Sequence, residues 1–247
     1  MQFSEKQKTL LPRIIMRRPK LSEEVIDTIR RAILSGAYAP GERLRLETLA
    51  SQLGTSVMPV RESLIALSNE GLVIAQPRRG FVANPLDDEE TYDLYDLQGY
   101  IAGKLAGRAA LSATDEQIHH LKTIQQEMRR LSRRRINGVI ETELLALNAA
   151  YHKYISRIPK GNRLRWFLRV STQFTQVEPR RVTPGWLKMT LSDHAKINAA
   201  LEAHNFDLAR RLMEAHFIRG AGIRDETARH EALARTALQR SGAKKRK

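Results

Sequence analysis

The 247-residue chain contains no cysteine. That absence excludes disulfides, cysteine-type zinc fingers, iron–sulfur ligation and a thiol nucleophile. It leaves the seven histidines as the side chains a borderline metal ion would use. Long apolar runs are also missing: none approaches the roughly 18 residues of a membrane span. Met1–Lys20 carries basic residues but no clean apolar core before a small-residue cleavage site. We therefore expect no secretory leader, no membrane partner and a cytoplasmic address. Acidic residues are scarce beside basic ones, 27 Asp+Glu against 42 Lys+Arg, for a formal net charge of +15. An excess of that sign favours a polyanion as partner, although it also serves general solubility. Hydrophobic content of 42% and charged content of 28% are those of an ordinary globular chain. The length suits one large domain or two modest ones.

The charge is unevenly placed. Residues 1–85 hold 13 Lys+Arg and 8 Asp+Glu, and residues 86–247 hold 29 and 19. A basic arm over 1–20 and a basic tail over 233–247 are expected to be flexible ends. After Asn84–Pro85 the chain turns acidic (LDDEETYDLYD), which marks a boundary. We expect one domain over 21–86 and a helical one over 87–232.

In the first domain, Ser22 is a candidate N-cap for a helix whose inner face is Val25, Ile26, Ile29, Ile33 and Leu34. Gly36 ends it, and Pro40–Gly41 makes a turn. Leu46–Leu53 reads as a short helix broken at Gly54. Ser56 then caps a second helix to about Glu70, with Val60, Leu64 and Leu67 inward. Leu72–Ala75 and Gly80–Ala83 read as a hairpin with a basic tip at Gln76-Pro77-Arg78-Arg79. Helix, glycine turn, helix and hairpin form the layout of a winged helix-turn-helix. In that layout the start of the second helix faces base edges in the major groove. The residues so placed are Thr55, Ser56, Val57, Met58 and Arg61, with Arg45 at the start of the preceding helix. Arg61 can reach a guanine edge or a phosphate. Its other reading is a surface ion pair with Glu62 or groups near Glu70. Arg78, Arg79 and Gly80 form a wing tip that would meet backbone or minor groove.

The segment LSEEVIDTIRRAILSGAYAPGERLRLETLASQLGTSVMPVRESLIALSNEGLVIAQPRRGFVANPL resembles the DNA-binding domain of GntR-type transcription regulators. LSGAYAPGERL, LASQLG, PVRESL, EGLV and PRRGFV carry the likeness. The family commonly has Arg-Thr where Val57-Met58 stand, so Arg61, which matches the family's second recognition arginine, takes more of the direct readout. Val57 and Met58 retain apolar contact with a thymine methyl.

The second part reads as six or seven helices from Thr91 to about Arg240. Asp87–Leu111 begins acidic and Thr114 caps the next helix, both favourable at a helix start. Arg129, Arg130, Arg133, Arg134 and Arg135 gather at the end of that helix and read as a solvated face. Val139–Ile158, Asn162–Gln176, Trp186–His204 and Phe206–Arg219 follow, the last two joined at His204-Asn205. Pro179 and Pro184-Gly185 bound a loop. Asn148 and His152 share a helix face. His194 and His216, on two helices joined by a tight turn, can reach one level of a bundle. Three imidazoles and an amide oxygen suit a divalent ion such as Zn²⁺ or Ni²⁺. Equally, each histidine is compatible with a satisfied core position. His119, His120, His204 and His230 read as surface or capping residues.

The stretches NAAYHKYISRIPKGNRLRW and SDHAKINAALEAHNFDLARRLMEAHF resemble the FCD effector domain of the FadR-like branch of GntR regulators. That resemblance implies a metal held by one acidic residue and three histidines, here Asn148, His152, His194 and His216. Asn148 supplies a neutral oxygen in place of the carboxylate. It also implies an effector pocket whose usual Arg and Glu fall at Gln98 and Ala102. With Gln98 only a neutral amide, either the ligand differs or Arg157, Arg165 or Arg169 meets its carboxylate.

The resulting expectation is a mainly α protein, with an N-terminal winged helix-turn-helix and a C-terminal all-α FCD-like bundle. Its function would be ligand-responsive transcription regulation, by default repression, without enzymatic activity. Its partners would be a double-stranded DNA palindrome, a small carboxylate-type metabolite and a second copy of the chain. The alternatives are a metal-dependent hydrolase or lyase, with His120 or Glu202 as base, and a DNA-binding protein with an inert helical dimerisation domain.

Overall fold

The computed structural model describes residues 20–175 and 182–221, with side chains from Glu23 onward. The basic arm up to residue 19, Pro179, His230 and the tail 233–247 lie outside the described residues. The chain forms two compact units, Met1–Pro85 and Leu86–Lys247.

The first unit contains α1 (Lys20–Leu34), β1 (Arg43–Leu44), α2 (Leu46–Gln52), α3 (Val57–Asn69), β2 (Val73–Gln76) and β3 (Gly80–Ala83). Val25, Ile29 and Ile33 recur at helical spacing on α1 and are buried with Leu49, Val60, Leu64 and Leu67. Ser22 is not the cap expected of it, because α1 already runs at Lys20 and places Ser22 inside the helix. Arg30, 7% exposed, ties α1 to the end of α3. Its guanidinium donates to both oxygens of Glu70 at 2.7 and 2.9 Å, and also to Asp27. Burial alone would lower the Arg30 pKa, but Glu70 and Asp27 hold it above its ordinary value.

The sheet has the order β1-β3-β2, antiparallel throughout. The hairpin was expected and β1 was not: two residues are too few to show an alternating pattern. Phe81 and Val82 turn β3 into the core beneath the helices. At the hairpin tip Arg78 adopts φ 62° and Gly80 φ 88°. For Arg78 that left-handed backbone costs about 1–2 kcal/mol.

The second unit contains α4 (Asp88–Ser112), α5 (Asp115–Ser132), α6 (Gly138–Arg157), α7 (Arg163–Thr175) and α8 (Pro184–Glu202). A further helix, α9, runs over 206–221. Its boundaries are chemically marked. Asp87 with Glu90, and Thr114 with Gln117, form capping boxes. Asn137 caps α6 and Thr183 caps α8, with Pro184 in the first turn. At the turn into α9 His204 takes φ 48°, and Asn205 accepts from Leu208 N at 3.0 Å. His204 Nδ1 also lies 2.8 Å from Ala110 O in the last turn of α4. The bundle interior is Ala-, Leu- and Ile-rich and includes Leu121, Tyr151, Ile155, Ile197 and Met213.

A feature not picked out of the sequence positions α9. Gly99, Gly103 and Gly107 recur every four residues along one face of α4. A Cβ on Gly103 would stand 2.8 Å from Arg210 O and 2.5 Å from Glu214 Cγ. One on Gly107 would stand 2.9 Å from the Phe206 ring. The three glycines let α9 lie almost on the α4 backbone, and α9 carries His216 into the interior.

Candidate nucleic-acid interface and candidate metal centre

The outer surface of the first unit is laid out by α2, α3 and the hairpin. Arg45 is the backbone N-cap of α2, and Ser56 is that of α3. Neither side chain makes a capping bond. The expectation that the Ser56 hydroxyl caps α3 is therefore not met; Ser56 is exposed. Val57 and Met58 are 38% and 64% exposed. Thr55 is half-buried. Arg61 is exposed and has no ion pair or side-chain hydrogen bond among the described residues. Of its alternative partners, Glu70 is held by Arg30, and Glu62 makes no ion pair with it among the described residues.

Arg78 and Arg79 are exposed at the wing tip with Gly80. Sequence reading passed over Arg43 here. Its guanidinium donates twice to Arg79 O, at 3.1 and 2.7 Å, and braces the tip from β1. The β1–β3 register places Arg43 opposite Val82, close enough to make that reach.

In the second unit, His152 on α6, His194 on α8 and His216 on α9 converge. One ligand nitrogen from each lies within 4.8 Å of the others. The Nε2 atoms of His152 and His216 are 3.2 Å apart. Two nitrogens about 2.0 Å from one tetrahedral ion would stand roughly 3.3 Å apart, so this separation fits shared coordination. His194 is fully buried, and neither ring nitrogen has a hydrogen-bond partner. An unpaired buried polar atom costs about 1–3 kcal/mol. Asn148 Oδ1, one turn before His152 on α6, is buried and unpaired as well. So is Thr190 Oγ1, one turn before His194 on α8. Lone pairs left unsatisfied around three imidazoles are what a bound cation would satisfy, so the donor set fits a divalent ion.

The surrounding groups favour the ligating form of His194 and orient His216. Burial, reinforced by repulsion from His152 and His216, pushes the His194 pKa well below the ordinary histidine value. It is neutral at physiological pH, as ligation requires. His216 Nδ1 lies 3.2 Å from Asp193 Oδ2, which can only accept, so Nδ1 carries the proton and Nε2 offers its lone pair. Arg219 donates to the same Asp193 oxygen at 2.7 and 3.1 Å. Burial works to raise the Asp193 carboxyl, but the bonds from His216 and Arg219 outweigh it and hold it below the ordinary range. Tyr151 stacks on His194 at 3.8 Å between centroids. Its hydroxyl donates to Asn198 Oδ1 at 2.8 Å, Asn198 Nδ2 donates to Gln125 Oε1, and Gln125 Nε2 donates to Leu191 O. Sequence reading singled out none of Asp193, Arg219, Tyr151 or Thr190. Asp193 adjoins His194 in sequence, but its partner comes from another helix.

Gln98 and Ala102, matched to the family's effector positions, are both buried on α4. Gln98 Nε2 donates to Ser171 O at 3.0 Å and its Oε1 accepts from Thr175 Oγ1 at 3.2 Å. Ala102 belongs to the core cluster around Tyr151 and Met213. Arg157 and Arg169 are exposed, and Arg165 bonds to Arg157 O and Asn162. His120 rests against the Tyr154 ring at 4.4 Å, and Glu202 is paired with Lys122 at 2.7 Å. Neither is gathered with the three histidines.

Comparison with known proteins agrees with this division. Residues 21–82 match the family described as bacterial regulatory proteins, gntR family, and residues 93–219 match the FCD domain. The chain is 25% identical over 191 residues to the uncharacterized HTH-type transcriptional regulator YdhC of Bacillus subtilis, covering 76% of this chain and 84% of that one. It is 25% identical over 202 residues to the HTH-type transcriptional repressor RspR of Escherichia coli, covering 79% and 85%. Among solved structures, E. coli McbR/YncC superposes with a TM-score of 0.62 at 17% identity, covering 85% of this chain and all of that one, and shares the fold. No described helix is long and apolar enough to cross a membrane. The chain belongs to the GntR family of bacterial regulatory proteins, with a DNA-binding domain followed in sequence by an FCD domain: it is a transcriptional regulator and not an enzyme.

Proposed function

We propose that this regulator is a cytoplasmic, metal-containing repressor that binds a palindromic operator as a homodimer and releases it when a small carboxylate metabolite enters the helical domain. One observation carries the reading. Three imidazoles, those of His194 and His216 buried and that of His152 half-buried, converge in the effector domain with His194 and Asn148 Oδ1 unsatisfied. His152, His194, His216 and Asn148 would hold the ion, and Zn²⁺ or Ni²⁺ suits three nitrogens and a neutral oxygen. The ion supplies positive charge and open positions for a carboxylate. Gln98 is neutral and committed to α7, so the ion is the carboxylate's principal anchor. Gln98 and Ala102 form the α4 wall, and Thr190 Oγ1 offers the ligand a hydrogen bond. Repression as the sign is supported by the relative RspR, which is named a repressor.

At the operator, Thr55, Ser56, Val57, Met58 and Arg61 face the major groove, Arg45 meets phosphate, and Arg78, Arg79 and Gly80 follow the wing. To weaken operator binding 100-fold, the acid must bind the DNA-free form 100-fold more tightly, about 2.7 kcal/mol. The test begins with genome-wide binding to obtain the operator. Operator affinity is then titrated with small mono- and dicarboxylic acids, on metal-loaded and metal-stripped protein. At least one acid should weaken binding by the metal-loaded protein alone. Acids that act equally without metal, or an operator with a single half-site, would overturn the proposal.

A further inference from the structure

Five arginines fall within seven residues at Arg129, Arg130, Arg133, Arg134 and Arg135, and no acidic residue stands between Glu127 and Glu141. They belong to the half of the chain that holds most of its basic excess, 29 Lys+Arg against 19 Asp+Glu over residues 86–247. All five are exposed. Arg130 is neutralised, since it donates to both oxygens of Glu127 at 2.6 and 2.8 Å. Among the described residues the other four have no ion pair. Glu141, the next carboxylate in sequence, is turned instead to Val182 N, which donates to it at 2.6 Å.

A solvated helix end accounts for this cluster only in part. Cations near a helix C-terminus complement its dipole, but the effect falls off past the last turn. The helix α5 ends at Ser132, so Arg134 and Arg135 lie beyond it. The last carbonyls are also served by other groups: Ser132 Oγ donates to Arg129 O at 2.8 Å, and Arg134 N donates to Leu131 O at 3.0 Å. Arg129 and Arg133 stand four residues apart, a spacing at which like charges repel along a helix. The charge of these four arginines is therefore offset by no carboxylate among the described residues.

Their place in the bundle follows from a few contacts. Ala110, near the end of α4, meets His204 just after α8. Farther back along both helices, α9 meets Gly99 of α4 at Glu214 and Phe217, and Asp193 of α8 at His216. The helices α4 and α8 thus run side by side in the same direction. Leu187, in the first turn of α8, shares a core cluster with Met128 and Leu131 near the end of α5. The arginines consequently stand at the end of the bundle where α4 begins, three residues after Pro85. The chain enters the second unit at that end.

We infer that Arg129, Arg133, Arg134 and Arg135 form a second, sequence-independent DNA contact, made by the helical unit to phosphates of the duplex. All four are arginines, whose planar forks match phosphate oxygens, and none is a lysine. A DNA duplex carries one negative charge per roughly 1.7 Å of axis, a density suited to so compact a cationic cluster. The inference goes beyond the metal-linked reading above and needs neither the ion nor the acid, so either can fail without the other.

The probe is a random-sequence duplex of about 40 base pairs, bound by the full-length protein and followed by fluorescence anisotropy between about 50 and 200 mM salt. The triple variant Arg133→Gln, Arg134→Gln, Arg135→Gln loses three phosphate contacts, each of which contributes about 0.9 to the slope of log affinity against log salt. The slope should fall by about 2–3, and affinity at about 50 mM salt should drop at least 10-fold. A control triple, Lys153→Gln, Lys160→Gln, Lys196→Gln, removes the same charge from exposed positions elsewhere on the unit and should leave the slope as in the parent. Circular dichroism checks that each variant is folded.

The native absence of cysteine gives a second readout that keeps most of the cluster. Arg135→Cys, labelled with azidophenacyl bromide, should crosslink to the duplex on irradiation, and Lys160→Cys labelled in the same way should not. An unchanged slope in the arginine triple overturns the inference. An equal fall in both triples also overturns it, because total charge would then suffice. So does crosslinking no stronger from position 135 than from position 160.

Discussion

The two units of this chain leave their unsatisfied groups in opposite places. In the head the interior is settled: even the buried Arg30 is matched by Glu70 and Asp27. Its unpaired groups are outside, at Arg61 and around the wing. In the bundle many surface charges are paired, as Lys122–Glu202 and Arg130–Glu127 show. Among the described residues it also holds buried polar atoms without a partner, at His194, Asn148 and Thr190. Buried polar groups are normally satisfied and exposed ones are satisfied by water, so an orphan is informative only where water is excluded. The head therefore points to a partner that approaches from solvent, and the bundle to one that enters the interior. The +15 net charge does not separate the two, because most of the excess belongs to residues 86–247.

The largest effect should follow from breaking the inner site. His194→Ala should reduce bound metal from one ion per chain to almost none, measured by elemental analysis, while a head-only property such as non-specific DNA binding persists. Next is the packing that delivers His216. Gly103→Leu forces a side chain against Arg210 O and Glu214 and should destabilise the bundle by about 1–3 kcal/mol or more, read by chemical denaturation. Metal affinity should fall with it. Breaking the outer site at Arg61 should be comparable but confined to sequence. Arg61→Ala should cost about 1–3 kcal/mol of specific binding, with thermal stability unchanged. Asp193→Asn keeps the shape but weakens the orienting bond to His216, and should lower metal affinity about 10–100-fold. Arg79→Ala should be the mildest. It should weaken binding to all sequences and reduce the slope of log affinity against log salt by about one.

The head was legible because its punctuation is local. Gly36, Gly54 and Gly71 sit at positive φ at element ends, where glycine is favoured. The spacing of Val60, Leu64 and Leu67 alone identifies the inner face of α3. Two residues could not announce β1, so its brace from Arg43 to the wing stayed hidden. The helix cap at Thr114 and the turn at His204-Asn205 were readable from short-range chemistry, whereas the cap at Asn137 was not picked out. The bundle's site was readable only in part. The face shared by Asn148 and His152 follows from helical geometry, and the convergence of His194 with His216 from the tight turn between their helices. The groups that tune the site come from other helices: Asp193 turns to His216, and Gln125 on α5 anchors the Tyr151 chain. Such contacts depend on packing angles that no local pattern encodes. The glycine stripe on α4 was present in the sequence, but its meaning depended on knowing that α9 lies against it.

The central claim, that the bundle's partner sits among the three histidines, is tested most directly by metal stoichiometry. Untagged protein would be purified without added metal, stripped, reloaded with Zn²⁺ or Ni²⁺, desalted and analysed by mass spectrometry, beside a variant with His152, His194 and His216 all changed to Ala. The account predicts one ion per chain in the parent and none in the variant. Equal metal in both, or a reloaded parent that retains none, would contradict it.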